Sequence, residues 1–215
     1  MNAKKEIEIK LQPIGIEVDL ITYRLGNMED VKTDKKEITD WYYDNPEKTF
    51  YKQNEQGIID VLEYVRIRKE DGKWFKCYKT RYVNAKGYTS EGGVDEKEKE
   101  VDKNAVDVLE DNGYTVKAVI EKTRWVYLVD DTFEVAIDVI KRVKVAGKEL
   151  KKFTKAEYVE VELKNDCQDS VNGRKQIKEF LKSKLKLHKI KEFDRGYICI
   201  FLNPHHDFSE TTFLK

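Results

Sequence analysis

Residues 5–11 alternate in character: Ile7, Ile9 and Leu11 fall on one parity, and Glu6, Glu8 and Lys10 on the other, so a strand of period two is predicted. In "PIGIEVDLITYRLGN" the apolar positions Ile14, Val18, Ile21 and Leu25 recur at helical spacing, with Gly26 behind them, predicting a helix over 14–25. "EITDWYYDNP" reads as a strand stopped by Asn45-Pro46. Residues 60–83 read as a hairpin about Asp71-Gly72, a pair suited to the positive φ angles of a tight turn. Residues 86–93 form a loop, and 94–101 alternate again. A short helix follows within 102–113, with Asp102 as N-cap and Gly113 past its end. Residues 114–145 give two long strands around Asp130-Asp131, and 156–164 the last clear strand. Ile177, Phe180, Leu181 and Leu185 then share one face of a helix over 173–187, with lysines crowding its end. With three prolines and no low-complexity linker, residues 1–215 are expected to form one α+β domain, mainly antiparallel β, with helices packed outside.

The polar parity of these strands carries more than a solvated face would. One strand presents Arg66 and Arg68, its return strand Trp74, Lys76 and Tyr78, and another Lys122 and Arg124. Glu6 and Glu8, the set Glu96, Glu98 and Glu100, Glu134 with Asp138, and Glu160 with Glu162 are the acidic counterparts. "EIEIK" near the start is echoed by "EVELK" at 160–164. A solvated sheet face usually mixes signs across each ladder, whereas here the signs are sorted by strand. That sorting predicts a closed or nearly closed β-barrel whose lumen has one basic and one acidic wall. Arginines and lysines converging on such a lumen neutralise several phosphates, and clustered carboxylates take a hard cation, Mg²⁺ or Mn²⁺.

Composition sharpens this picture. Apolar residues make up 40% and charged residues 38%, little material for a large solid core, yet 11% aromatics argue against disorder. The 41 basic and 41 acidic residues cancel, so no global field draws the chain to nucleic acid or membrane. No apolar run approaches the roughly 20 residues that span a bilayer, and "MNAKKEIEIK" lacks the apolar stretch of a signal peptide. Cys77, Cys167 and Cys199 form neither a disulfide framework nor a zinc site, which fits a reducing cytoplasm. No GxxxxGK[ST] phosphate loop occurs. His205-His206 belongs to a polar tail, the lysines of "KLKLHKIK" suit a solvated helix end, and Trp41, Tyr42 and Tyr43 are aromatics that pack or stack.

Glu6-x-Glu8-x-Lys10, followed by "YVRIR", "WFKC", "VIEKTR", "VAID" and "VEVE" in that order, resembles the CYTH superfamily, the triphosphate tunnel metalloenzymes, over about residues 5–200. The resemblance implies an eight-stranded antiparallel tunnel that holds a small-molecule triphosphate and one or two divalent cations, in a monomer or homodimer. It implies metal binding by Glu6, Glu8, Asp138, Glu160 and Glu162. It implies phosphate contacts from Lys10, Arg66, Arg68, Lys76, Lys122 and Arg124, with Lys79 and Arg81 as alternates to Lys76. Lys10, Glu160 and Glu162 become the catalytic candidates, a glutamate of the last pair orienting the attacking water. Three places depart from the family pattern. "EKEKE" stands where RxExE is common, leaving open which of Glu96, Glu98 and Glu100 face inward; "DRGYICIFL", with Arg195, only echoes the family's Ser-Tyr region; and residues 45–60 are long.

The expected activity is therefore metal-dependent hydrolysis of tripolyphosphate or of an organic triphosphate such as ATP or thiamine triphosphate. Phosphoryl transfer asks a protein mainly for positioning and charge stabilisation, so no serine or cysteine nucleophile is needed. A class IV adenylyl cyclase is the first alternative; such cyclases often carry His-Phe shortly before ExExK, where this chain reads "MNAKK". A non-catalytic polyphosphate- or nucleotide-binding module is the second, disfavoured by the presence of both ExE pairs.

Overall fold

The computed structural model describes residues 7–81, 94–165, 167, 169–193 and 195–214. In chain order the strands are β1 (Glu8–Pro13), β2 (Val31–Asp44), β3 (Tyr51–Gln53), β4 (Ile59–Val61), β5 (Glu63–Glu70), β6 (Lys73–Arg81), β7 (Val94–Val101), β8 (Thr115–Val129), β9 (Phe133–Val145), β10 (Lys148–Glu149), β11 (Glu157–Leu163), β12 (Lys189–Phe193) and β13 (Ser209–Phe213). The helices are α1 (Val18–Gly26), α2 (Ala105–Asp111), α3 (Ser170–Ser183) and α4 (Tyr197–Leu202).

Eleven strands form one antiparallel sheet in the order β13-β12-β1-β11-β9-β8-β2-β5-β6-β7, with β10 added to β9. The two hairpins that set its register are local. Asp71 and Gly72 take φ 47° and 86° and pair Glu70 with Lys73; Asp130 and Asp131, at φ 51° and 50°, turn β8 into β9. The echoed segments prove to be neighbours, since β1 runs antiparallel to β11 with Glu8 opposite Glu162 and Lys10 opposite Glu160.

The alternating apolar residues build three clusters. Ile7, Ile9 and Leu11 in and just before β1 and Val159 and Val161 of β11 meet Ile21 and Leu25 of α1 and Ile177 and Leu181 of α3 on the outer face. The approach of α3 is close: a Cβ on Gly173 would lie 2.8 Å from the Ile7 Cδ1 and 3.2 Å from a Leu163 methyl. Val65 and Ile67 of β5 pack beneath Leu109 of α2. The third cluster lies on the inner face, where Tyr42, Ile120, Ile140 and Tyr158 surround every residue of α4. Helices were expected only outside; α4 instead fills the concave side, because "YICIFL" is apolar all round and needs burial on every side. Asn203 clasps this plug to β4, accepting from the Ile59 N–H at 2.7 Å and donating to the Ile59 carbonyl at 2.9 Å.

Other boundaries differ for local reasons. The first helix begins at Val18 rather than residue 14, because Pro13 ends β1 and Gly15 turns the chain at φ 74°. Asn104, not Asp102, occupies the N-cap position of α2, and its side chain makes no capping bond. β2 begins at Val31 rather than Glu37, its charged first half held by pairing with β8. Two strands follow the one expected to be last, and β12 pairs with β1. A closed or nearly closed barrel of eight strands was expected; among the described residues no ladder joins β7 to β12 or β13, so no closed barrel forms, and the curled sheet still sets eight strands around one cavity. Glu6 and the 86–93 loop lie outside the described residues. Among those described, no helix is long and apolar enough to cross a membrane.

Candidate active site

The curled sheet encloses a cavity of about 370 Å³. Eight strands line it, β1, β2, β5, β6, β7, β8, β9 and β11, together with the first turn of α4. Seven cationic side chains converge there: Lys10 from β1, Lys36 from β2, Arg66 and Arg68 from β5, Lys79 from β6, and Lys122 and Arg124 from β8. Glu70, Glu96, Glu98, Glu134, Glu160 and Glu162 share the wall. Tyr42, Tyr64 and Tyr197 make its aromatic part.

Two carboxylates behind the wall hold the guanidinium groups in place. Arg68 donates from Nε and Nη2 to Asp40 at 2.8 and 3.1 Å, and Arg124 donates from the same two atoms to Asp138 at 2.8 and 2.7 Å. Such bidentate pairs fix the plane of the guanidinium. Burial opposes the charge on Asp40, but Arg68 and Arg66 outweigh it and keep the carboxyl well below its ordinary range. Asp138 is likewise penalised by burial, yet Arg124 and Lys122 hold it at about 2. Lys122 donates to Asp138 at 2.9 Å and lies 4.9 Å from the Tyr197 ring centre. Its ammonium is pushed down to about 8 by burial and by Arg124. Burial also pushes the Tyr197 hydroxyl well above its ordinary value.

Carboxylates gather on three adjacent strands. Glu8 of β1 stands opposite Glu162 of β11, which stands opposite Glu134 of β9, and Glu160 lies one inward-facing position further along. Like charges directly opposite in a sheet repel. Two lysines offset this: Lys10 pairs with Glu8 and, at 2.7 Å, with Glu160, while Lys164 pairs with Glu162 at 2.8 Å and Glu134 at 3.2 Å. Glu160 also accepts from Arg124 at 2.7 Å, and despite its burial Lys10 and Arg124 hold its carboxyl well below the usual range. These four carboxylates are hard oxygen donors of the kind Mg²⁺ or Mn²⁺ takes, but among the described residues no three of them bring their oxygens within 4.8 Å of one another.

On the far side Lys79 donates to Glu96 at 2.7 Å, and Arg66 to Glu96 and Glu98 at 3.3 and 3.0 Å. Donor atoms of Cys77, Glu96 and Glu98 lie within 4.8 Å of one another. Burial pushes the Cys77 thiol up to about 12, so it stays protonated, and both carboxylates already serve as counter-ions to Arg66 and Lys79. Basic and acidic groups thus interleave around the cavity, where the strand-by-strand sorting predicted two separate walls.

Of the residues singled out from the sequence, Lys10, Arg66, Arg68, Lys122, Arg124, Glu160 and Glu162 line the cavity, and Glu8 sits beside Lys10. Lys76 does not: it pairs with Ile67 and Lys99 on the outer face of β6, and its alternate Lys79 takes the inner place opposite Tyr64 and Glu96. The side chain of Arg81 lies outside what is described. Asp138, expected among the metal ligands, is fully buried with both oxygens bonded to Arg124 and Lys122. Glu134 stands on the carboxylate rung in its stead. Glu96 and Glu98 face inward; Arg195 and His205-His206 are not part of the lining. Sequence reasoning missed Lys36, Asp40, Tyr64, Glu70 and Tyr197, although the even-numbered parity shared by Asp40 and Tyr42 was a usable sign.

The CYTH domain family model matches residues 4–197. Among solved structures, a protein from Pyrococcus horikoshii superposes with TM-score 0.63 at 19% identity, over 90% of this chain and 97% of its own. A Hippeastrum protein assigned as an adenylyl cyclase and described as having a dominant triphosphatase activity gives 0.57 at 15%, over 94% and 97%. A Vibrio parahaemolyticus protein provisionally assigned as an adenylate cyclase gives 0.57 at 18%, over 86% and 91%. No curated protein sequence matches the chain.

Proposed function

The chain belongs to the CYTH domain family, and from that premise we propose that it is a metal-dependent hydrolase of a linear triphosphate, the curled sheet serving as its tunnel. The observation that carries the proposal is the convergence of seven cationic side chains on one cavity beside a rung of three carboxylates. A triphosphate brings the dense negative charge those cations need, and its metal brings the positive charge the carboxylates need. Arg66 turns its buried Nε toward Asp40 at 3.7 Å and directs Nη2 to Glu96 and Glu98, an orientation that leaves the guanidinium on the cavity wall for phosphate. The dominant triphosphatase activity described for the Hippeastrum protein favours hydrolysis over cyclisation.

Glu8, Glu134, Glu160 and Glu162 would hold Mg²⁺ or Mn²⁺, which would supply charge neutralisation at the reacting phosphoryl group. The protein's own groups do the rest. Arg66, Arg68, Lys79, Lys122 and Arg124 grip the phosphate oxygens and hold the chain in line, and Lys10 neutralises charge beside the glutamates. Water adds to the terminal phosphorus, the bond to the bridging oxygen breaks, and the departing oxygen carries its electron pair toward the arginines. Glu160, committed to Lys10 and Arg124, is a poor proton acceptor; Glu162 takes the water's proton.

The deciding assay offers tripolyphosphate, ATP and thiamine triphosphate separately to the purified protein with Mg²⁺ or Mn²⁺, following orthophosphate, pyrophosphate and cyclic AMP. Orthophosphate release is expected, and the fastest substrate identifies the organic part. Pyrophosphate with cyclic AMP from ATP would replace the proposal with a cyclase, and tight binding without turnover with a binding module.

Lys122 makes the grip sensitive to pH. Its buried ammonium loses a proton as pH rises through about 8, removing one positive charge from the wall. Tripolyphosphate affinity should therefore fall between pH 7 and pH 9, by about tenfold if one charged contact is lost. Calorimetric titration across that range checks this, and Lys122→Arg should flatten the profile.

A further inference from the structure

Lys164 closes the second of the two echoed segments, two residues after Glu162, and is not needed to hold phosphate. Its backbone N–H donates to the Thr132 carbonyl at 2.8 Å, which ties it to the β8–β9 turn. From there its ammonium bridges Glu162 and Glu134, neighbouring carboxylates of the three-glutamate rung. Lys10 plays the corresponding part for Glu8 and Glu160, but it is buried deep in the cavity wall, with its side chain 9% exposed. The Lys164 side chain is 32% exposed, with solvent within reach. A cation bridging two like-charged ligands stands where a divalent ion must stand to use the same oxygens.

We infer that Lys164 is a built-in stand-in cation: it holds the carboxylate rung together when no metal is bound, and a divalent ion displaces its ammonium into solvent on binding. This rests on the reading of the rung as the metal site, and it adds that metal affinity is set by a competition inside the chain. Three consequences follow from the bridge alone. Removing the ammonium lifts the competition, so metal binds more tightly. It also leaves Glu134 and Glu162 facing each other, so the metal-free protein is less stable and metal restores it. Metal binding to the natural protein makes the Lys164 amine more reactive.

The test uses the full chain without substrate. Mn²⁺ is titrated and the free ion followed by electron paramagnetic resonance, for the natural protein, Lys164→Gln and Lys164→Arg. Lys164→Gln should bind Mn²⁺ several-fold more tightly, the scale set by losing two partly exposed ion pairs, while Lys164→Arg, which keeps the cation, stays near the natural value. The melting temperature of Lys164→Gln should be lowered without metal and restored by Mn²⁺. Should Lys164→Gln not fold, acetylation of the natural protein, read by mass spectrometry, decides: labelling at Lys164 should rise several-fold with Mg²⁺, and labelling of the exposed Lys32 should not. Equal or weaker Mn²⁺ binding by Lys164→Gln, no Mn²⁺ binding by either protein, or labelling indifferent to metal would overturn the inference. Tighter binding and faster labelling without triphosphate turnover would uphold the displacement and sink the hydrolase reading; normal turnover with unchanged labelling would do the reverse.

Discussion

Asp138→Asn should lower the stability of the protein by about 3–5 kcal/mol, the usual cost of leaving buried charge without its partner. The size follows from position. Asp138 has no exposed surface and bonds at once to Lys122 and to two donors, Nε and Nη2, on one edge of Arg124. An amide keeps the shape but removes the charge and offers a donor where two cations already donate. For a chain of this length the melting temperature should drop by roughly 10 °C. Removing Lys32 from its solvent-exposed pair with Asp131 should change it little. The pH dependence has a definite sign. The Asp138 carboxyl sits at about 2 in the folded protein against 3.8 ordinarily, so its contribution is complete above the ordinary value and is lost as pH falls through about 2. Denaturant titrations at pH 7 and pH 3 should therefore show the gap between natural and variant proteins narrowing with acid. A variant as stable as the natural protein at pH 7 would remove Asp138 as the anchor of the basic wall.

The second large effect is on catalysis. Replacing Glu160 and Glu162 together with glutamine should reduce metal-dependent turnover by at least 10²–10⁴-fold, the range for loss of a positioned proton acceptor alone. Loss of two proposed metal ligands adds to it. Glutamine preserves side-chain length and hydrogen-bonding capacity, so far-UV circular dichroism should be unchanged. Tripolyphosphate binding without metal should survive, because Arg66, Arg68 and Lys79 are untouched. Rates near those of the natural protein would reject the site.

The acidic strands were the most legible part of the chain. Alternation over 5–11 and 156–164 marked two strands whose polar faces had to be buried somewhere, and β1 and β11 are indeed adjacent. The fate of Lys76 shows a sign that was present and passed over. A two-residue turn at Asp71-Gly72 pairs Glu70 with Lys73, so even positions of β5 share a face with odd positions of β6. Arg66 and Arg68 on the inside therefore require Cys77 and Lys79 there, and Lys76 outside. Asp40 and Asp138 were harder. Each is an acidic residue on an inward parity, but whether it faces metal or an arginine depends on neighbours brought from other strands. The inward position of α4 was equally hidden, because an apolar hexapeptide has the same pattern inside a curled sheet as beneath one.

The pairing of β1 with β11 and β12 also governs when the protein can acquire its site. Residues 8–13 must wait for partners at 157–163 and 189–193, so the carboxylate rung cannot assemble until nearly the whole chain has left the ribosome. Contacts spanning such separations are slow to form. During synthesis the β5–β6 and β8–β9 hairpins can close by themselves, the second bringing Asp138 and Glu134 with its cations, before Glu160 and Glu162 arrive. The carboxylate rung is therefore a late product of folding, completed after the β8–β9 hairpin has already set Asp138 against Arg124 and Lys122.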